Sequence, residues 1–314
     1  MFYYHVTLTD YKGGFAMKRL LNCHTSDFNK MNRDELRQAI LASAGRTILG
    51  ETVVIAQPLL QDLTNAEVIS GFGGDLILLN FYDVYEKKIM GIPESEEEPI
   101  RRIKELTGLP VGINLEPVDE DADALEELGA LPAGRRASRG TLMMAAKQGI
   151  DYVCLTGNPA TGVSNREILH AIEVARECFP GLIIAGKMHG AGLGEPVISK
   201  EIVLQMIEKG ADVILLPACG TVPGISEAML HEMVALIHEK QTLCMAAIGT
   251  SQESADPETI RQIALADKRI GFDIHHIGDG GFGNVPDPEN LMALSITVRG
   301  KRHTYYRMAQ SIKR

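Results

Sequence analysis

The chain has 314 residues, of which 45% are hydrophobic and 23% charged, enough for a large core under a solvated surface and too apolar for disorder as its main state. With 31 basic against 41 acidic residues its net charge is −10, which excludes a general polyanion-binding surface; Arg135, Arg136 and Arg139 are a basic run too short to argue for one. The cysteines, Cys23, Cys154, Cys178, Cys219 and Cys244, form no CxxC pair and read as free thiols; with no signal-peptide pattern and no long apolar stretch, a cytoplasmic protein without membrane or nucleic-acid partners is expected.

Residues 1–16 read as an ill-defined prefix, with Met17-Lys18-Arg19 as an alternative start, and residues 1–30 as an extension before one domain over 31–314. A helix over 33–44, with Asn32 as N-cap, Glu35 at the third position and Gly45 past its end, is expected to plug the bottom of that domain. Eight β-rich runs then alternate with helical segments. The strands are expected at 52–56, 76–81, 111–115, 152–155, 182–185, 213–216, 242–248 and 272–277. The helices between and after them are expected from Thr64, over 99–107, 138–148, 165–178, 200–209, 226–240 and 257–269, and lastly over 288–299. Pro99, Pro257 and Pro288 start helices, and Gly108, Gly149, Gly210 and Gly271 end them. Eight strands with crossovers of βαβ length imply parallel pairing, and the count favours a closed (β/α)8 TIM barrel over an open doubly wound sheet. No dinucleotide fingerprint follows the first strand, and the loop over 117–137 is a lid candidate.

Barrel chemistry sits at the C-terminal strand ends. Those ends supply Gln57, Asn80, Asn114, Thr156, Asn158 and Glu253 as candidate substrate-binding residues, beside Tyr82, Cys219, Thr221 and His275-His276. Residues two apart share a strand face, so Asn114 and Glu116 are expected to face Lys187 and His189 across the axis. A carboxylate opposite an ammonium and an imidazole forms an acid/base set, making Glu116, Lys187 and His189 the catalytic candidates, Lys187 either as imine former or as electrostatic stabiliser. A structural ion pair is the plainer reading of Glu116 with Lys187.

The last two loops, IGTSQES and IGDGGFGN, lie where barrels often seat phosphate, which nominates Thr250, Ser251, Gly278, Gly280 and Gly281 as a phosphate seat. Asp279 would repel a phosphate if it pointed inward. The glycines of AGKMHGAGLGEP suggest a hinge that brings Glu195 over a substrate, and the Arg135 to Arg139 run is either a clamp folded over the mouth or a solvated surface. No cofactor is demanded. A divalent ion such as Mg2+ on Glu116 and Asp279 with waters is one option, whereas the adjacent His275 and His276 face opposite sides of a strand.

The segments TGNPATGVSN, AGKMHGAG and IGDGGFGN together resemble an uncharacterised bacterial barrel family whose members carry phosphonomutase-like or haloacid-dehalogenase-like labels; the architecture is similar to ribulose-phosphate-binding barrels. The chain departs from both labels. The acidic metal ligands and lysine-rich gating loop of the phosphoenolpyruvate mutase family find no match, and the nearest dehalogenase-like aspartate pair, Asp121 and Asp123, is followed by Leu125 in the lid loop. These features together lead to an expected enzyme, a candidate homo-oligomer, that abstracts a proton next to a carbonyl in a small phosphorylated or carboxylated metabolite, as an aldolase, lyase or isomerase does. A metal-dependent lyase or phosphonomutase-like enzyme and a non-catalytic metabolite-binding barrel are the alternatives.

Overall fold

The computed structural model describes residues 18–280 and 283–314; the prefix up to Met17 and Gly281 of the expected phosphate seat lie outside them. Two short elements, a 3-10 turn at Leu20–Asn22 and helix α1 (Thr25–Phe28), precede α2 (Arg33–Ala42). The eight strands are β1 (Thr47–Val53), β2 (Leu76–Asn80), β3 (Val111–Leu115), β4 (Tyr152–Leu155), β5 (Leu182–Gly186), β6 (Val213–Pro217), β7 (Leu243–Ile248) and β8 (Ile274–Ile277). The helices after these strands, in turn, are α3 (Asn65–Gly71), α4 (Pro99–Thr107), α5 (Arg139–Lys147), α6 (Asn165–Cys178), α7 (Lys200–Glu208), α8 (Glu227–Glu239), α9 (Pro257–Ile270) and α10 (Pro288–Met308). All neighbouring strands pair in parallel, and β8 pairs back with β1, so the sheet is a closed (β/α)8 barrel. No helix of the described residues is long and apolar enough to cross a membrane.

Local chemistry sets the helix starts. Asn32, Thr64 and Ser138 each accept from the backbone N–H of the third helical residue, whose side chain answers the cap's own N–H. The N-terminal helix α2 covers the closed end: Arg33 reaches Asp212 ahead of β6, and Arg37 donates to the Gln241 carbonyl ahead of β7.

Two elements differ from the sequence expectation by more than two residues. Strand β1 runs over 47–53 rather than 52–56, because Gly50 faces outward and lets α3 pack close; a Cβ there would lie 2.7 Å from the Ile69 side chain. This puts Gln57 on an exposed stretch beyond the strand. The last helix does not stop at 299; it kinks at Gly300 (φ 77°, ψ 160°) and continues to Met308.

Paired residues of parallel neighbours share a face, so the register fixes which side chains enter the barrel. Leu49 and Glu51 align with Leu76 and Leu78, Asn114 with Cys154, Cys154 with Ile184, Met245 with Ile274, and His276 with Leu49. The lower interior is apolar, and the polar members of the inward rows stand near the C-terminal ends.

The closed end carries a fourfold pattern that begins in the sequence as GGD, GID, GAD and GFD ahead of β2, β4, β6 and β8. Asp75, Asp151, Asp212 and Asp273 each accept, at 2.8–2.9 Å, the backbone N–H of one residue at the start of the preceding strand: Ile48, Val111, Ile183 and Cys244. The N–H of each aspartate donates to the carbonyl of that same residue. A partner side chain meets each carboxylate: Arg299 and Arg307 at Asp75, Lys104 at Asp151, Arg33 and Arg176 at Asp212, and His238 at Asp273. Burial alone would raise the Asp75 carboxyl, but Arg299 and Arg307 hold it below the usual carboxylate range.

Candidate active site

A cavity of about 560 Å³ opens at the C-terminal end of the barrel. Inward strand residues and the turns after them form its floor, with Glu51, Asn80, Asn114 and Thr156 among them; the loops at 188–193, 249–253 and 278–280 form its wall. Leu125 and Glu126 of the long third loop close one side. That loop is tied down by backbone bonds from Leu125 to Gly192 and from Gly129 to Ala160, so it lies across the fourth and fifth loops.

Glu51 is the functional candidate that sequence reasoning missed. Only 4% exposed, it accepts from Asn114 Nδ2 on Oε1, and its Oε2 pairs with His276 Nε2 at 2.8 Å. Its signal was a single acid at an inward position of an apolar run, two residues beyond Leu49. A second network runs beside it. Asn80 Nδ2 donates to Asn158 Oδ1 (2.8 Å) and to Asp279 Oδ2 (2.7 Å), while Asn158 Nδ2 donates to Asn80 Oδ1 and to Glu116 Oε1, both at 3.0 Å.

Glu116 and Lys187 do not meet. The Glu116 carboxylate, 1% exposed, accepts from Arg135 at 2.7 Å and from the Asn158 backbone N–H at 3.0 Å, and it does not line the cavity. Arg135 lies over the Phe81 ring at 3.8 Å, so of the basic run this residue is folded inward, whereas Arg136 and Arg139 pair at the surface with Glu120 and Glu177. Lys187 falls on the outward phase of β5, set by the inward Ile184. Its ammonium pairs at 2.8 Å with Glu195, whose same oxygen accepts the N–H of Asn165 at the start of α6. Glu195 is thus a tether between β5 and α6. Of the three catalytic candidates only His189 lines the cavity.

Residues of the expected phosphate seat make contacts within the protein. The Thr250 hydroxyl donates to the Thr221 carbonyl, and the Gly278 N–H donates to the Ile248 carbonyl. Gly280 is bare because Glu253 stands against it; a Cβ would lie 2.0 Å from Glu253 Oε1. Ser251 is exposed on the rim. Glu51, Glu126 and Glu253 line the cavity beside Asp279, and no lysine or arginine of the described residues does, so no cationic side chain there answers a phosphate.

Burial, reinforced by the charge of Glu51, pushes the Asp279 carboxyl up to about 8. Burial also raises Glu253 and lowers His189. Among the described residues Asn114 Oδ1, Thr156 Oγ1 and Glu253 Oε2 have no hydrogen-bond partner although their residues are at least nine-tenths buried. Such atoms in residues that line one cavity are unfavourable unless a polar partner answers them. A divalent ion on Glu116 and Asp279 does not fit: both Glu116 oxygens are taken, one by a guanidinium, and the Asn80–Asn158 amide pair stands between the two carboxyls.

No curated protein matches the sequence. Solved structures of similar fold include an archaeal fructose 1,6-bisphosphate aldolase, 13% identical over 84% of this chain and 98% of that one, with a TM-score of 0.51. The carboxyl transferase domain of Rhizobium etli pyruvate carboxylase with pyruvate is 13% identical over 91% of this chain and 53% of that one, TM-score 0.52. A 2,3-dimethylmalate lyase of the PEP mutase/isocitrate lyase superfamily is 15% identical over 78% and 79%, TM-score 0.47. At these identities the likeness is one of fold. The structural neighbours include phosphonomutase-type barrels, and the dehalogenase-like label has no support, with Asp121 and Asp123 in the loop at 117–137. Residues 21–314 match the model described as Domain of unknown function (DUF7916), and the chain belongs to that family.

Proposed function

We propose that the chain is an acid–base enzyme of the lyase or isomerase type, moving a proton at a carbon next to a carbonyl in a small, unphosphorylated polar substrate. The observation that supports this most is the pairing, on one cavity wall, of a carboxyl that keeps its proton at neutral pH with a buried carboxyl one of whose oxygens is unpartnered: Asp279 and Glu253. The Glu253 carboxylate takes the C–H proton, and the electron pair moves onto the carbonyl oxygen. His189 receives that oxygen. Its Nδ1 accepts the Ala191 N–H at 3.0 Å, so the neutral ring carries its proton on Nε2, and burial keeps it neutral. Asp279 returns a proton to the neighbouring carbon, which completes an isomerisation, or to a hydroxyl leaving as water from the next carbon, which completes an elimination. Thr156 and Asn114 orient hydroxyls of the substrate. No step uses Lys187 or a metal.

The acid-lined cavity supports uncharged or cationic substrates over phosphorylated ones. The test is solvent deuterium incorporation, followed by NMR, across hydroxyaldehydes, ketoses and amino analogues alongside their phosphate esters. Exchange next to the carbonyl is expected with unphosphorylated compounds. Glu253→Gln should lower it by about 10²–10⁴-fold while ligand-induced thermal stabilisation persists. Wild-type binding without exchange would overturn the enzyme reading in favour of a non-catalytic binding barrel. Tighter binding of the phosphate esters would overturn the substrate class.

A further inference from the structure

The fourfold pattern at the closed end has one member that departs from the others. At three of its positions the residue giving its N–H to the aspartate is aliphatic, namely Ile48, Val111 and Ile183, and the compensating groups are arginines or a lysine. At the fourth both features change together. The N–H comes from Cys244, and the partner of Asp273 is His238. Packing and charge compensation, which suffice at the other three, explain neither change. Both new residues are metal-ligating types, and both lie beside a carboxylate.

Their geometry suits an ion. His238 Nε2 lies 2.9 Å from Asp273 Oδ2 and 3.5 Å from Cys244 Sγ, and Sγ lies 3.5 Å from Oδ2. Ligand bonds of about 2.3 Å to sulfur and about 2.0–2.1 Å to nitrogen or oxygen put tetrahedral ligand atoms about 3.3–3.6 Å apart. The three atoms therefore outline one face of such a tetrahedron, and only the His238–Asp273 edge has to open, by about 0.4 Å. Among the described residues this is the one group of three His, Cys, Asp or Glu side chains placed to share an ion. Cys244 is fully buried, whereas the His238 side chain is 17% exposed and offers a way in.

We propose that His238, Cys244 and Asp273 bind one thiophilic divalent ion of the zinc class, pinning the end of α8 to the starts of β7 and β8. The thiol selects zinc or cobalt over magnesium or calcium. Binding forms the metal–sulfur and metal–nitrogen bonds: the Cys244 proton leaves to solvent and His238 binds as the neutral ring with its proton on Nδ1, so uptake tightens as pH rises. The site lies at the opposite end of the barrel from the mouth, and its failure would leave the acid–base reading untouched.

The experiment titrates Co2+ into the full chain after chelation and dialysis. The expected result is one ion per chain, a thiolate-to-cobalt absorption band, release of about one proton, and displacement of the band by Zn2+. Cys244→Val and His238→Arg restore the residue types of the other three positions, so both variants should fold. Cys244→Val should abolish the band, and His238→Arg should weaken uptake at least tenfold. Cys219→Ser should leave both unchanged. A band that survives Cys244→Val, or no stoichiometric uptake by the wild type, would overturn the proposal.

Discussion

Replacing Asp279 by Asn tests whether the mouth holds a carboxyl against its preference. Burial and the charge of Glu51 push that group up to about 8, whereas an unfolded aspartate titrates near 3.9. A folded value above the unfolded one means that the group's contribution is fully present below about pH 3.9 and is lost as pH rises through about 8. Taken whole, the shift would remove about 4 kcal/mol at pH 7. Asp279 is only half-buried, and Asn80 donates to it at 2.7 Å, so solvent screening leaves about 1–2 kcal/mol. Asparagine has nearly the same shape and never ionises. Asp279→Asn is therefore expected to be more stable than the parent by about 1–2 kcal/mol at pH 8, and by less at pH 5, while deuterium exchange falls at least about 100-fold. Urea unfolding of both proteins at pH 5, 7 and 8 measures the difference. A variant less stable than the parent at pH 8, or a difference that does not change with pH, would refute the reasoning.

Other predictions bear on the supports of the site. Asp75→Asn leaves Arg299 and Arg307 as buried charges and should cost about 3–5 kcal/mol in urea unfolding, whereas Asp151→Asn, whose partner Lys104 is a quarter exposed, should cost about 1 kcal/mol. Equal losses would show that charge burial is not what distinguishes them. Borohydride treatment with carbonyl compounds should leave the Lys187 peptide unmodified by mass spectrometry, since its ammonium is tied to Glu195 outside the cavity; a reduced adduct there would reverse that assignment. Glu116→Gln removes the charge that holds Arg135, so limited proteolysis should cut faster within 117–137; an unchanged cleavage rate would mean that the pair does not anchor the loop.

The barrel was legible in the sequence because strand runs, caps and glycine stops recur with one period, and Asn32, Thr64, Ser138 and Ser164 cap as their residue types predict. The mouth was legible as a place but less well as a set of contacts. The run VVIA is more apolar than TILGETV, so hydropathy drew β1 five residues late and hid Glu51, although Leu49 and Glu51 share the inward phase. Lys187 and His189 are two apart, yet they do not share one wall, because Lys187 follows the outward phase of β5 while His189 lies beyond the strand's end. Strand spacing alone does not fix that phase; the pairing of Cys154 with Ile184 does. The recurring Gly-x-Asp was written in the chain throughout, but its meaning depends on an N–H from the preceding strand, which no local window contains.

Each aspartate lock at the closed end joins two strands of its own pair, β1 with β2, β3 with β4, β5 with β6, and β7 with β8. The seams between pairs have no such lock, and some of them are bridged at the other end: Glu51 to His276 across the last seam, Asn80 to Asn158 across another. The molecule is thus four staves clamped singly at the base and laced together at the rim. Whatever occupies the rim changes the lacing, so occupancy there should register in the backbone exchange of strands far below it.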